Sequence, residues 1–279
     1  EPLREKLLGL LKRLQYRKRA LAMALAVSVL ALIGSVCLVC CIFPLCAKKA
    51  IWRGEELMNE ARSLEWRCDA DGAEKIREAA LRKFETATRL DPQQAEYWYN
   101  LGSAQRQLPA LGCSQAVSSY QEALKLPGVL EIAYNDLGYC RVEQGNCEEG
   151  RELLENGIKL LHCDDPQPSA SEYWLVTCCA LYRNLGQSPL CQRKPDAAIV
   201  ELGMAADIEA IFRSDDWRLG RLRPTETHCL LAKAYDWNEQ CNAACDEFDQ
   251  CRRFAVTYCQ MDVLRETMME LTNCNCVGE

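Results

Sequence analysis

The amino-acid sequence predicts an all-α protein. An amphipathic helix and a transmembrane helix come first, followed by an α-solenoid of about five helical hairpins closed by a C-terminal capping helix. Three observations carry this. Residues 20–46 run for 27 positions without a charge. Beyond residue 54, apolar residues recur at spacings of three and four, with no sustained alternation of period two. Small–large–small triplets, spaced four and then three, recur through that second part and put their members on one helical face.

The first element covers residues 1–19. Leu3, Leu7, Leu10 and Leu14 repeat at three and four, while Arg4, Lys6, Lys12, Arg13, Arg17, Lys18 and Arg19 fill much of the rest. A basic amphipathic helix of this kind suits a membrane surface, with anionic headgroups near residues 4–19. The span follows over residues 20–47. At about 1.5 Å per residue its uncharged run reaches roughly 40 Å, more than the ~30 Å hydrocarbon core of a bilayer. It exceeds the ~7–15-residue apolar core of a cleaved signal, so it reads as a retained anchor. Pro44 kinks or ends it.

Charge divides at the same place. Residues 1–53 hold ten Lys/Arg and two Asp/Glu, net +8, and the other 226 residues hold 23 and 38, net −15; together they make the −7 of the chain. The acidic body excludes nucleic acid as its partner, because phosphate binding needs clustered basic side chains. Seven Lys/Arg precede the span, and Lys48, Lys49, Arg53, Arg62 and Arg67 follow it. The bias favours the N-terminus on the matrix, stroma or cytoplasm side and the body across the membrane. The chain opens on Glu rather than Met, consistent with a processed leader and an organellar (mitochondrial or plastid) membrane.

The body, residues 54–279, reads as stacked hairpins. Its triplets are Ala80–Phe84–Ala87, Ala116–Tyr120–Ala123, Ala198–Leu202–Ala205 and Ala244–Phe248–Cys251. Small members let antiparallel helices approach, and the large one fills the gap to the next pair. A single hairpin cannot bury its apolar face alone, so several must stack. The best-marked first helix contains Trp98, Leu101 and Gly102, followed by Ala116, Tyr120, Ala123 and Pro127. The next unit has Tyr134, Leu137, Gly138, Gly150, Leu154 and Gly157. A third has Trp174, then Cys178 in the glycine position, then Ala198, Leu202 and Ala205, with a long inter-helix loop over residues 184–196. The last carries Tyr235, Ala244 and Phe248. Residues 212–224 read as an irregular linker and 253–272 as the cap.

An aromatic residue, Leu-Gly three and four later, a small–aromatic–small triplet and a proline resemble the tetratricopeptide repeat (TPR) family over about residues 57–252. The resemblance implies a non-catalytic α-solenoid whose first helices line a groove for protein partners. Carried over, the groove holds Tyr99, Asn100, Ser103, Arg106 and Gln107, then Asn135, Asp136, Tyr139 and Glu143, then Leu175, Val176, Cys179, Tyr182 and Arg183. Members that clamp a chaperone's C-terminal carboxylate use Lys, Arg and Asn. Here Asn100 fits the middle unit, but Glu65, Asp69, Ile132 and Asp136 stand where the other clamp residues belong. The sequence therefore predicts no chaperone-tail binding.

Nineteen cysteines are many for 279 residues. Cys37, Cys40, Cys41 and Cys46 lie in the span as small apolar residues. In the body, Cys140 and Cys147 flank the Gly145–Asn146 turn and are placed to bridge a hairpin. Cys178 or Cys179 is within reach of Cys191 across the long loop. Sequence does not settle pairing, and free thiols at helix contacts remain the alternative. Paired CxxC knuckles are absent from the body and only His162 and His228 occur, so no metal is expected. Phosphate-binding GxGxxG and GxxxxGK[ST] loops and a GxSxG elbow are also absent, so no cofactor and no enzyme activity are expected. The functional expectation is an accessory or assembly subunit of a respiratory or photosynthetic membrane complex. The alternatives are an import receptor for basic targeting segments and a thiol-dependent redox protein.

Overall fold

A computed structural model describes residues 23, 25, 28, 43–65, 67–128, 131–164, 171–211, 224–257, 261–274 and 276. The chain divides into two compact units, residues 1–49 and 50–279. In the first unit Met23, Leu25, Ser28 and residues 43–49 are described, and all are helical. The amphipathic helix expected over residues 1–19 lies outside the described residues. So does the span over residues 20–47, apart from those positions. Among the described residues no helix is long and apolar enough to cross a membrane.

Among the described residues the regular elements of the second unit are all helices. Its elements are α1 (50–65), α2 (Ala70–Leu90), α3 (Ala95–Arg106), α4 (Gly112–Lys125), α5 (Glu131–Glu143) and α6 (Cys147–Leu161). They continue as α7 (Glu172–Cys191), α8 (Pro195–Glu209), α9 (Pro224–Trp237), α10 (Cys241–Thr257) and α11 (Met261–Glu270). Successive pairs from α1/α2 to α9/α10 form five hairpins. Each second helix packs on the first helix of the next hairpin, α5 also meets α7, and α11 closes the stack against α9 and α10.

The triplets do what their spacing implies. Phe84, Tyr120, Leu154, Leu202 and Phe248 are buried, as are the small residues beside them. Each large side chain presses on its hairpin's first helix at a point where there is no room for more. An added Cβ would stand 2.7 Å from the Tyr120 ring at Gly102, 2.6 Å from Leu154 at Gly138 and 2.5 Å from Leu202 at Gly186; at Gly54 it would run into Phe84. In the fifth hairpin the equivalent residue is Ala232, fully buried beside Leu231.

This corrects the register of the fourth hairpin. The glycine position is not Cys178 but Gly186, and the anchor is Tyr182–Leu185–Gly186, spaced like Trp98–Leu101–Gly102. Trp174 belongs to two extra turns at the start of α7, where its indole N–H donates to the Leu161 carbonyl at 2.9 Å. In the fifth hairpin the aromatic position falls on His228, and Tyr235 comes later in the unit. A left-handed residue confirms the frame. Gly145, Arg193 and Glu239 have φ of 80°, 60° and 57°, each seven residues after Gly138, Gly186 and Ala232. The amide that follows each one closes the preceding helix, donating to Arg141, Pro189 and Tyr235 carbonyls at 2.9, 2.8 and 2.9 Å.

Two further expectations are revised. Residues 184–191 are helical, so the long loop shrinks to 192–194 before Pro195 opens α8. Pro189 sits inside α7, where it lacks an N–H to donate. The neighbouring Ser188 hydroxyl donates to the Cys147 carbonyl at 2.9 Å and ties that turn to α6. The expected cap over residues 253–272 is divided, since α10 runs on to Thr257 and α11 starts at Met261. Of the linker expected over 212–224, Pro224 opens α9 and the rest lies outside the described residues.

Cysteine pairing also differs from the expected bridges. Cys140 bonds to Cys113, not Cys147, and joins α4 to α5. Cys147 bonds to Cys191, and Cys178 to Cys163, so α6 and α7 are cross-linked at both ends. Cys179 is a thiol. Cys229–Cys251 closes the fifth hairpin, and Cys241–Cys274 and Cys245–Cys276 fasten the tail to α10. Asp236, fully buried in α9, receives the amide hydrogens of Thr272, Asn273 and Cys274 at 3.1, 3.0 and 2.7 Å.

Candidate functional site

The first helices α3, α5 and α7 carry the expected groove residues, with Gln107 at the C-cap of α3. Many of these side chains turn toward each other instead of outward. Asp136 is the centre of the group. Its carboxylate accepts from the Tyr99 and Tyr120 hydroxyls at 3.3 and 3.4 Å and from the Asn135 amide at 3.0 Å, with the Arg106 guanidinium 3.6 Å away. Burial, reinforced by the Asp136 charge, pushes both tyrosine hydroxyls well above their usual range, so both remain protonated donors. Arg106 also lies over the Tyr139 ring, 5.4 Å from its centre.

The network continues down the stack. Asn184 donates to Asn135 at 2.9 Å, and Gln187 donates to Asn184 at 3.2 Å. Arg183 pairs with Glu226 at 3.3 Å. Asn184 and Gln187 are residues the sequence reading missed. The signal was present in Tyr182-x-Asn184-Leu185-Gly186, which repeats the Trp98-x-Asn100-Leu101-Gly102 string.

The other expected positions divide in two. Tyr182 is buried with its hydroxyl donating to Asp164 at 2.5 Å, and Leu175 and Val176 pack against the cluster around Leu154 and Leu181. Asn100 donates to Glu55 at 3.3 Å, and Gln107 donates to Ser103 at 3.1 Å. Tyr139 donates to the exposed Glu143 at 2.6 Å. Of the expected positions, Glu143 is exposed and Tyr99, Asn100, Ser103, Arg106, Gln107, Tyr139, Leu175 and Val176 are half-buried. Glu65 pairs with Arg77 and Asp69 caps α2, so these acids have internal partners.

A second buried cluster joins the fourth and fifth hairpins. Glu209 of α8 accepts from the Thr227 hydroxyl at 2.6 Å and from the Cys179 thiol at 3.4 Å. Its other oxygen has no hydrogen bond among the described residues and stands 3.8 Å from His228 Nε2, while His228 Nδ1 lies 2.6 Å from Glu247. Burial raises the Glu209 carboxyl above its ordinary 4.5. A carboxyl raised in the folded state supports the fold most at low pH and loses that contribution as pH climbs from about 4.5 through its folded value. Glu209→Gln has no such proton to lose. Melting temperatures measured across pH should therefore show wild type losing ground to the variant as pH rises, and a constant difference would contradict this.

Burial, then the Glu209 charge, raises the Cys179 thiol well above its usual value. That is the opposite of the lowered pKa a reactive cysteine needs. Cys163 and Cys229, the neighbours of the two histidines, are committed to disulfides. Among the described residues no group of three or more His, Cys, Asp or Glu is disposed to hold a metal ion.

Comparison with known proteins places the fold. No family model matches the chain, and no curated protein matches it. Among solved structures, the APC/C hetero-tetramer Cut9–Hcn1 is similar with a TM-score of 0.51 and 17% identity, over 84% of this chain and 44% of that one. The chain thus spans less than half the length of that protein. MamA is similar at a TM-score of 0.43 and 16% identity, over 75% of this chain and 94% of its own. The Podospora anserina putative kinesin light chain with TPR-like repeats stands at 0.46 and 16%, over 74% and 96%. At these identities the likeness is one of fold. The class is a TPR-type α-solenoid, the fold that the recurrent Leu-Gly and small–large–small positions build here.

Proposed function

We propose that this chain is a non-catalytic, membrane-anchored scaffold that uses its solenoid to hold protein partners, as an accessory or assembly subunit of a respiratory or photosynthetic membrane complex. The observation that supports it is the stack of five hairpins with a pre-ordered polar face running from Tyr99 through Asp136 to Asn184. The buried part of that face sets its shape. Ser103, Gln107, Tyr139 and Glu143 are the positions where a partner reads it, and the basic segment near residues 4–19 meets anionic lipid.

Photo-crosslinking side chains at Gln107 and Glu143, in membranes solubilised with mild detergent, test this. Adducts with subunits of one large complex are expected. Recovery only as an uncrosslinked monomer would overturn the proposal. The net charge of −15 beyond residue 53 favours one second reading, a receptor for basic amphipathic targeting segments. Protease added to intact organelles separates the two: digestion of the body supports the receptor, and protection supports the inward-facing subunit.

A further inference from the structure

We infer that the solenoid is an oxidatively folded domain, resident in an oxidising compartment, and that its maturation requires a protein thiol oxidoreductase able to reshuffle disulfides as well as form them. The inference stands apart from the identity of any binding partner.

Twelve of the nineteen cysteines form six bonds among the described residues. Their Cα–Cα distances are 5.0, 6.1, 5.6, 5.0, 5.1 and 4.8 Å, all within the span a disulfide bridges without backbone movement. Each bond joins different elements, so the cysteines face each other across seams and not merely along one helix. Small residues placed for close packing alone would be buried, yet Cys191 is exposed and Cys147 half-buried at the paired ends of α7 and α6. Packing does not explain a cysteine there, and a cross-link does. Glutathione and thioredoxin keep such thiols reduced in cytosol-like compartments. The body therefore belongs on the other side, as the basic flank of residues 1–53 also favours.

The connectivity adds the second half of the inference. Cys147–Cys191 encloses Cys163–Cys178, and Cys229–Cys251 interleaves with both Cys241–Cys274 and Cys245–Cys276. Once Cys113–Cys140 has closed, the first cysteine to emerge after Cys147 is Cys163, and a Cys147–Cys163 bond formed at that stage is not native. Native pairing then needs thiol–disulfide exchange. A Cys191 thiolate attacks the Cys147–Cys163 disulfide at the Cys147 sulfur, the Cys163 thiolate leaves, and it goes on to pair with Cys178. Each net bond gives two electrons and two protons to the oxidoreductase, whose own disulfide becomes a dithiol.

The test uses the full chain in its native membranes. Thiols are quenched with N-ethylmaleimide in denaturant, reduced, labelled with iodoacetamide, and mapped by mass spectrometry. The twelve cysteines are expected to carry the second label only, and Cys46 the first. Unreduced digests should show Cys147–Cys191 and Cys163–Cys178 linked peptides. Maleimide on most of the twelve without reductant would overturn the compartment assignment. Consecutive pairs, such as Cys147–Cys163, in the mature protein would overturn the reshuffling. Refolding of the reduced chain in air gives a second readout, with native pairs expected to form at least several-fold faster when a disulfide isomerase is added. An unchanged rate would count against the requirement.

Discussion

Asp136→Ala is expected to destabilise the solenoid by about 3–5 kcal/mol, the range for removing one partner from a buried charged pair. The carboxylate gathers two tyrosine hydroxyls, an asparagine amide and the Arg106 guanidinium at the contact between the second and third hairpins. Alanine leaves the two hydroxyls and the amide without this acceptor, and Arg106 becomes a largely buried charge without its Asp136 counter-ion. Asp136→Asn keeps an acceptor for the hydroxyls and loses only the charge, so it should cost less, about 1–3 kcal/mol. Denaturant titration of the two variants checks the order. A cost for alanine below about 0.5 kcal/mol, the scale of ordinary surface changes, would mean that the network does not hold these hairpins together.

Leu202→Ala should cost about 2–5 kcal/mol, because Leu202 is fully buried and its removal opens a cavity. Gly186→Ala in the unaltered protein should cost about 1–3 kcal/mol through overpacking. The two losses should not add. With Leu202 shortened, a Cβ at position 186 occupies freed space, and the double variant should be more stable than the sum by about 1 kcal/mol or more. The same cycle between Cys178 and Leu202 has no reason to couple in this way, which makes it the control for the repeat register. Additive losses at 186 and 202 would return the fourth hairpin to the frame anchored on Trp174.

That register shows where sequence was sufficient and where it was not. The triplets were legible because burial of a large side chain between small ones leaves a spacing that few other arrangements produce. Ala80, Phe84 and Ala87, and their counterparts further on, lie where that spacing puts them. The first half of the fourth hairpin was misread because α7 begins with two extra turns. Trp174 imitates the repeat's aromatic down to its hydrogen bond, donating to the end of α6 as Trp98 donates to the Pro92 carbonyl just after α2. The loop expected over residues 184–196 is instead helix as far as Cys191, with Ser188 tied to the Cys147 carbonyl of α6.

The groove was legible as a face but not as a surface. The resemblance to the repeat family implied Tyr99, Asn135, Asp136 and Arg183 as its members. Their side chains are nonetheless spent on each other, since whether a polar residue on a helix faces solvent or a neighbouring polar residue depends on contacts 37 or 49 positions away. Disulfide connectivity failed for the same reason. Cys140 and Cys147 are close in sequence across a turn, yet each finds its partner on an adjacent hairpin.

The Cys147–Cys191 bond has a mechanical consequence. Tension carried along the chain across residues 147–191 takes the shorter covalent path, which runs through that bond and bypasses the residues between. The 44-residue separation would otherwise release roughly 150 Å of contour when stretched, at about 3.3–3.6 Å per residue. While the bond is intact that length stays hidden, and α6 and α7 stay out of the line of force. A scaffold tethered at one end to a bilayer and loaded elsewhere would yield first in its uncrossed seams, and the length of each yielding step would report which bonds were closed.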